Sequence, residues 1–349
     1  MPACPTPAAP RYIVPLMSDP SIPGSGAARP SRVLLVFLDG VGIGADDPRV
    51  NPFAAARLPR LRGLLGGRLP LREHLADGGR IDGAGAALVA ADATLGVAGT
   101  PQSGTGQTAL LTGRNAPELY GRHFGPWVPT ALREMLRAEN LLSRALAAGR
   151  SVAFANAYPF RVTEADPRIF RRPAAPPLVA VAAGVLTRDL PELAAGNAVA
   201  SSITNERWRE TVGELEDVTP EEAGRRLARI ATGAEVTLFA HYDTDYTGHR
   251  GELAEAVRAL EKVDAFLGAL ADALPEDALL VVASDHGNIE DVEAGHTLNP
   301  VPVIAVGRGR EAVAARVRDL THVTPALLDL LGIEPPAGPP PPDGAGIHE

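Results

Sequence analysis

A chain of 349 residues is long enough for about two domains, or for one large α/β domain with an insertion. With 45% hydrophobic and 21% charged residues the composition is globular, which sets disorder aside, and no apolar run approaches the roughly 18 residues of a membrane-crossing helix. The 33 basic and 42 acidic residues give a formal charge of -9, which argues against a broad nucleic-acid or anionic-membrane surface, so any bound anion must be held locally. Cys4 is the only cysteine; there is no intrachain disulfide and no thiolate zinc site, and the expected compartment is the cytoplasm.

In chain order, residues 1–31 are rich in Pro, Ala and Gly and read as a flexible N-terminal arm. The apolar run 33–38 is the first of six, with 87–90, 152–155, 236–240, 279–283 and 301–306. None alternates with polar residues, as suits strands buried on both faces. The first runs into Asp39-Gly40. The glycines that follow are spaced GxGxG rather than GxGxxG, and ADDPRVNP breaks the helix that a dinucleotide site would need.

The segment GTPQSGTGQTALLTG, ending at Gly113, combines a small-residue loop with the start of a helix. That places Ser103 at a helix N-terminus, where amide groups and the dipole favour an alkoxide or a phosphate. A serine-hydrolase elbow would need glycine where Pro101 stands. Residues 114–217 are irregular, proline-rich and arginine-rich, and read as an inserted cap between the two halves of a core domain, 32–113 and 218–335. Within the cap, Arg161 and Arg172 are candidate substrate contacts.

Thr219-Pro220-Glu221-Glu222 is a capping box with proline at the first helical position. Helical spacing continues over 251–274 and 324–331, the latter stopped at Gly332, and 336–349 is a Pro-rich tail. Strands alternating with helices imply an α/β fold with a doubly wound, mostly parallel sheet and a small inserted cap. Ligands of such sheets gather at the carboxyl ends of the strands. Three runs end there in metal-binding side chains: Asp39; Asp245 and His249 in HYDTDYTGH; Asp285 and His286 in SDHGN. A fourth segment brings His296 just before the last strand. Six oxygen and nitrogen ligands without sulfur exceed what one ion needs and suggest two divalent metal ions, Mn or Zn.

The motifs LDGVGIG, SGTGQ, DYTGH, SDHGN and HTLNPVP, in this order, resemble the metalloenzyme branch of the alkaline phosphatase superfamily, which includes cofactor-independent phosphoglycerate mutase and phosphopentomutase; HVTPALLDLLGIEPP is similar to that family's last helix. The resemblance covers 32–113 and 235–335. It implies a serine nucleophile that forms a phosphoenzyme between two metals. On the matching positions Asp39, Ser103, Asp285 and His286 would hold one ion, and Asp245, His249 and His296 the other. Phosphoglycerate mutases place Glu-Val-Gly-His after the serine; here Gly104-Thr105-Gly106-Gln107 follows, so the histidine becomes Gln107, a candidate substrate contact. The expected activity is that of a phosphatase or phosphodiesterase on a small phosphorylated substrate. A sugar-phosphate or phosphoglycerate-type mutase is the alternative, and a non-catalytic metal- or ligand-binding protein a distant one.

Overall fold

The structure, a computed structural model, describes residues 29–158 and 170–334. Its frame is a seven-stranded sheet of β1 (Arg32–Leu38), β2 (Arg80–Asp82), β3 (Ala86–Ala91), β4 (Val152–Phe154), β5 (Val236–His241), β6 (Ala278–Ala283) and β7 (Val301–Gly307), in the order β2-β3-β7-β6-β1-β5-β4. All six apolar runs are strands; β2, three residues at an edge, carries no comparable run. β1 lies centrally and shows why its run is continuous: Val33, Leu35 and Phe37 enter one core, while Leu34, Val36 and Leu38 enter the other. Each fully buried side chain of this size contributes about 1.5–3 kcal/mol.

One face is covered by the helices Ser103–Thr112, Thr130–Glu139, Leu141–Ala147, Ala175–Ala182 and Val323–Leu330. The other is covered mainly by Pro220–Thr232 and Leu253–Asp272. No helix among the described residues is long and apolar enough to cross a membrane.

Two expectations need correction. The sheet is mixed rather than mostly parallel: β1 pairs in parallel with β5 and β6, and β4 with β5, but the pairs β6–β7, β3–β7 and β2–β3 are antiparallel. Burial on both faces makes a strand continuously apolar whichever way its neighbours run. Strand direction is set by the connection, and β6 reaches β7 through loop residues 284–300, without the crossover helix that a parallel neighbour needs.

The inserted cap expected over 114–217 is largely part of the main domain. β4 is an edge strand of the sheet, in register Val152↔Val236, and Leu132, Leu136, Leu142, Phe154 and Leu178 lie in the core with Leu35 and Phe37. What stands apart is a small lobe whose own cluster joins Leu193, Ala198, Ala200 and Trp208 to Ala157. The prolines suggested irregular chain, but Pro176 and Pro177 sit in the first turn of a helix, where proline loses no helical hydrogen bond.

Candidate active site

The site lies at the carboxyl ends of β1, β5 and β6. Asp39 follows β1, and its amide donates to His241 O at 2.9 Å, continuing the pairing with β5 by one residue. Gly40 then turns away at φ +66, and its N–H donates to Asp285 Oδ1 at 3.2 Å. A Cβ on Gly40 would stand 2.5 Å from Asp245 Oδ1. Gly40→Ala therefore combines left-handed strain with overpacking, and is expected to cost about 1–3 kcal/mol. Urea unfolding checks this; a loss below about 0.5 kcal/mol, the range of a neutral surface change, would contradict it.

Asp245 and His249 share one turn of the helix Asp243–Arg250, with His249 Nε2 3.4 Å from Asp245 Oδ2. Asn288 fixes Asp245 by donating Nδ2 to its Oδ1 at 2.6 Å and to its backbone carbonyl at 3.1 Å. Asp285 and His286 follow β6 and are fully buried. His296 Nε2 lies 3.5 Å from Asp245 Oδ1 and 3.0 Å from His249 Nε2, and its ring stacks on that of His286 at 3.9 Å.

Ser103 is the first residue of the helix Ser103–Thr112, every residue of which is buried. Its Oγ lies 3.0 Å from His286 Nε2. The amide of Gly106 donates to Gln102 O and opens the helical ladder; of the four amides before it, which a helix leaves without a partner of its own, that of Thr105 donates to Phe124 O. Those of Ser103 and Gly104 have no such acceptor among the described residues. The helix stops at Gly113, φ +78, where a Cβ would meet Pro325 at 2.7 Å.

All seven residues expected as ligands are thus brought together, and His286 is their hub. Its Nε2 has Asp39 Oδ1 at 3.4 Å, Asp285 Oδ2 at 3.6 Å and Asp245 Oδ1 at 4.0 Å around it. Two groups have ligand atoms close enough to share an ion: Asp39, Asp285 and His286, and Asp245, His286 and His296. His249 joins the second through its neighbours and is the one with a half-exposed side chain. The division expected from the resemblance, His286 with one ion only, is less sharp in this geometry, where His286 belongs to both groups.

The electrostatics ask for a cation. Burial, and then the charge of Asp285, push Asp39 well above the usual carboxylate range; burial raises Asp285 as well. Asp245 is held below its ordinary value, because His296, His286 and Asn288 together outweigh its burial. Burial disfavours a charged His286, yet Asp285, Asp39 and Asp245 together raise it to about 10. Asp39 Oδ1 and Asp285 Oδ2 are buried without a hydrogen-bond donor. Orphaned carboxylate oxygens beside imidazole nitrogens and a serine hydroxyl fit a divalent metal of the Mn or Zn kind. The donor set does not choose between them.

The expected substrate contacts fare differently. Gln107 is 1% exposed and works as a strut: Nε2 donates to Asp39 Oδ2 at 3.2 Å and Oε1 accepts from Ala175 N at 3.1 Å. Both ends of its amide are thereby engaged within the chain. Arg172 lies over the Trp127 ring at 4.5 Å, and no contact ties it to the ligand cluster among the described residues. Arg161 lies outside the described residues. Other histidines hold structural posts: His322 completes a capping box with Asp319, and His241 Nδ1 meets Ser201 O at 2.6 Å. Asn288, which holds Asp245, and Glu290 were not singled out from the sequence, although both fall in SDHGNIE after Asp285 and His286.

Residues 210–335 match the family model described as the metalloenzyme superfamily. The chain is distantly similar to cofactor-independent phosphoglycerate mutases. It is 38% identical over 130 residues to the 2,3-bisphosphoglycerate-independent phosphoglycerate mutase of Paracoccus denitrificans (strain Pd 1222), covering 35% of this chain and 25% of that protein. To the enzyme of the same name from Symbiobacterium thermophilum it is 37% identical over 137 residues, covering 34% and 26%. The matches thus span about a quarter of the length of these relatives. Among solved structures, the PH0037 protein from Pyrococcus horikoshii superimposes with TM-score 0.52 at 14% identity, covering 90% of this chain and 99% of that one, a likeness of fold. The alkaline phosphatase from the Antarctic bacterium TAB5 gives TM-score 0.48 at 13% identity, covering 88% and 100%.

Proposed function

We propose that the protein is a metal-dependent phosphoryl-transfer enzyme with Ser103 as its nucleophile. The observation that carries this reading is the position of Ser103 Oγ, 3.0 Å from His286 Nε2 at the start of a buried helix and beside two ligand groups. Asp39, Asp285, His286 and Ser103 would hold one divalent ion, and Asp245, His249 and His296 a second, with His286 placed to serve either. Bound there, such ions neutralise phosphate oxygens and lower the pKa of a coordinated hydroxyl. The chain's own residues do the rest. The helix start offers the Ser103 and Gly104 amides to an anion. Gln107 and Asn288 keep Asp39 and Asp245 in place. Ser103 Oγ attacks phosphorus as the bond to the leaving oxygen breaks, and the resulting serine phosphoester passes its phosphoryl group to water or to another hydroxyl.

The finer reading is a phosphatase or phosphodiesterase. What supports it is the small size of the lobe outside the main domain, since a mutase must enclose its dephosphorylated substrate until the phosphoryl group returns. The mutase reading has its own support in the sequence similarity to proteins named phosphoglycerate mutases. Incubation with p-nitrophenyl phosphate, bis-p-nitrophenyl phosphate, ribose 1-phosphate and 3-phosphoglycerate, each with Mn²⁺ or Zn²⁺, separates these outcomes. Free phosphate from monoesters, or nitrophenol from the diester, is expected; an isomerised sugar phosphate or phosphoglycerate with no phosphate released overturns the hydrolase reading.

Metal held only by the folded state adds to stability. At a hundredfold excess over its dissociation constant, one ion contributes about 2.7 kcal/mol. A chelator is therefore expected to lower the melting temperature by roughly 5 °C or more, reversibly on adding Mn²⁺. Identical melting curves with and without chelator would contradict metal binding.

A further inference from the structure

The ligand cluster depends on a carboxylate that is not one of its members. Glu290 is 1% exposed and has no cationic partner among the described residues. Leaving a carboxylate in such a place without compensation costs several kcal/mol, so its hydrogen bonds define its role. Oε2 accepts from Gly42 N at 2.9 Å and from Asn288 N at 2.7 Å. Oε1 accepts from Thr297 Oγ1 and from Asn299 Nδ2, the latter at 3.0 Å. All four acceptor positions of the carboxylate are in use.

The four donors come from the segments that carry the ligands. Gly42 lies three residues after Asp39, on the loop whose Gly40 N–H holds Asp285. Asn288 follows Asp285 and His286, and its side chain grips Asp245 on the neighbouring helix. Thr297 is next to His296, and its backbone bridges to Gly287. The glycines complete the arrangement: a Cβ on Gly42 would stand 2.2 Å from Glu290 Oε1, and one on Gly287 2.3 Å from the same atom.

We infer that Glu290 is a positioning residue that ties the loop after β1 to both ends of the loop joining β6 to β7 in one metal-binding geometry, reaching Asp245 through Asn288. The inference rests on the two-metal reading above. Such outer partners typically govern metal affinity by about 10–100-fold.

Glu290→Gln keeps the shape but turns two acceptor positions into an NH₂ group facing N–H or O–H donors. In chelator-stripped full-length protein titrated with Mn²⁺ by calorimetry, affinity is expected to fall by roughly 10–100-fold. Thr297→Val removes one donor at constant volume and is expected to weaken Mn²⁺ binding by a smaller factor, while Thr297→Ser, which keeps the hydroxyl, restores wild-type affinity. This graded series remains informative should Glu290→Gln fold poorly. A merely structural role would lower the melting temperature of the metal-free variants and leave the Mn²⁺ affinity of the folded protein within twofold of wild type; that result overturns the inference. A wild-type protein that takes up neither Mn²⁺ nor Zn²⁺ would overturn the two-metal reading, and this one with it. Wild-type uptake with unaltered variants would overturn only the role of Glu290.

Discussion

Ser103→Ala is expected to lower turnover of any accepted phosphate ester by roughly a thousandfold or more, equivalent to about 4 kcal/mol in the barrier. In the proposed reaction its hydroxyl, at the start of the helix Ser103–Thr112, forms and releases the phosphoester. Asp39, Asp285 and His286 stay in place, so metal uptake should be kept in part. Thr105→Ala is the control: its hydroxyl meets the carbonyls of Gln102 and Phe124 rather than a ligand, so its loss should cost turnover far less. Steady-state kinetics of the two variants decide the assignment. An active Ser103 variant beside a dead Thr105 variant would make it wrong.

His286→Ala should have the largest effect on the fold as well as on the chemistry. The imidazole faces Asp39, Asp285 and Asp245 within 4.0 Å. Removing it leaves Asp39, Asp285 and Asp245 without the imidazole that they share, a change of the kind that costs about 3–5 kcal/mol. It also removes a member of both ligand groups, so neither ion should remain tightly bound. His296→Ala enters only one group and should release one ion selectively, with a smaller loss of stability. Metal content after desalting, read beside urea unfolding, checks both statements. Equal metal retention in the two variants would show that His286 is not shared.

The parts legible in the sequence were those that burial and chain order impose. A strand covered on both faces must be apolar throughout, which is why β1, β5, β6 and β7 stood out, and a carboxylate or imidazole placed directly after such a strand falls at its carboxyl end. Ser103 stood out because a run of small residues ahead of an apolar stretch reads as a helix start, although the helix itself begins at Ser103 and takes in Gly104, Thr105 and Gly106. Strand direction was not legible from the runs, since β7 is as apolar antiparallel to β6 as it would be parallel. β4 was found as a strand yet placed outside the core, because the prolines around it obscured helices that pack against Leu35 and Phe37. The supports of the site left a fainter signal. Gln107 and Glu290 act through hydrogen bonds to segments far away in sequence, 68 residues apart for Gln107 and Asp39 and 248 for Glu290 and Gly42, and neither local spacing nor composition reports such pairings.

The central claim is that a phosphoryl group passes through Ser103. The most direct measurement is rapid acid quenching of the metal-loaded protein with a turning-over phosphate ester, followed by peptide mass spectrometry. The account predicts one phosphoryl group on the peptide containing Ser103, absent without metal and absent in Ser103→Ala. Metal-dependent turnover that continues at the wild-type rate in Ser103→Ala, with no phosphorylated serine trapped at any quench time, would contradict it.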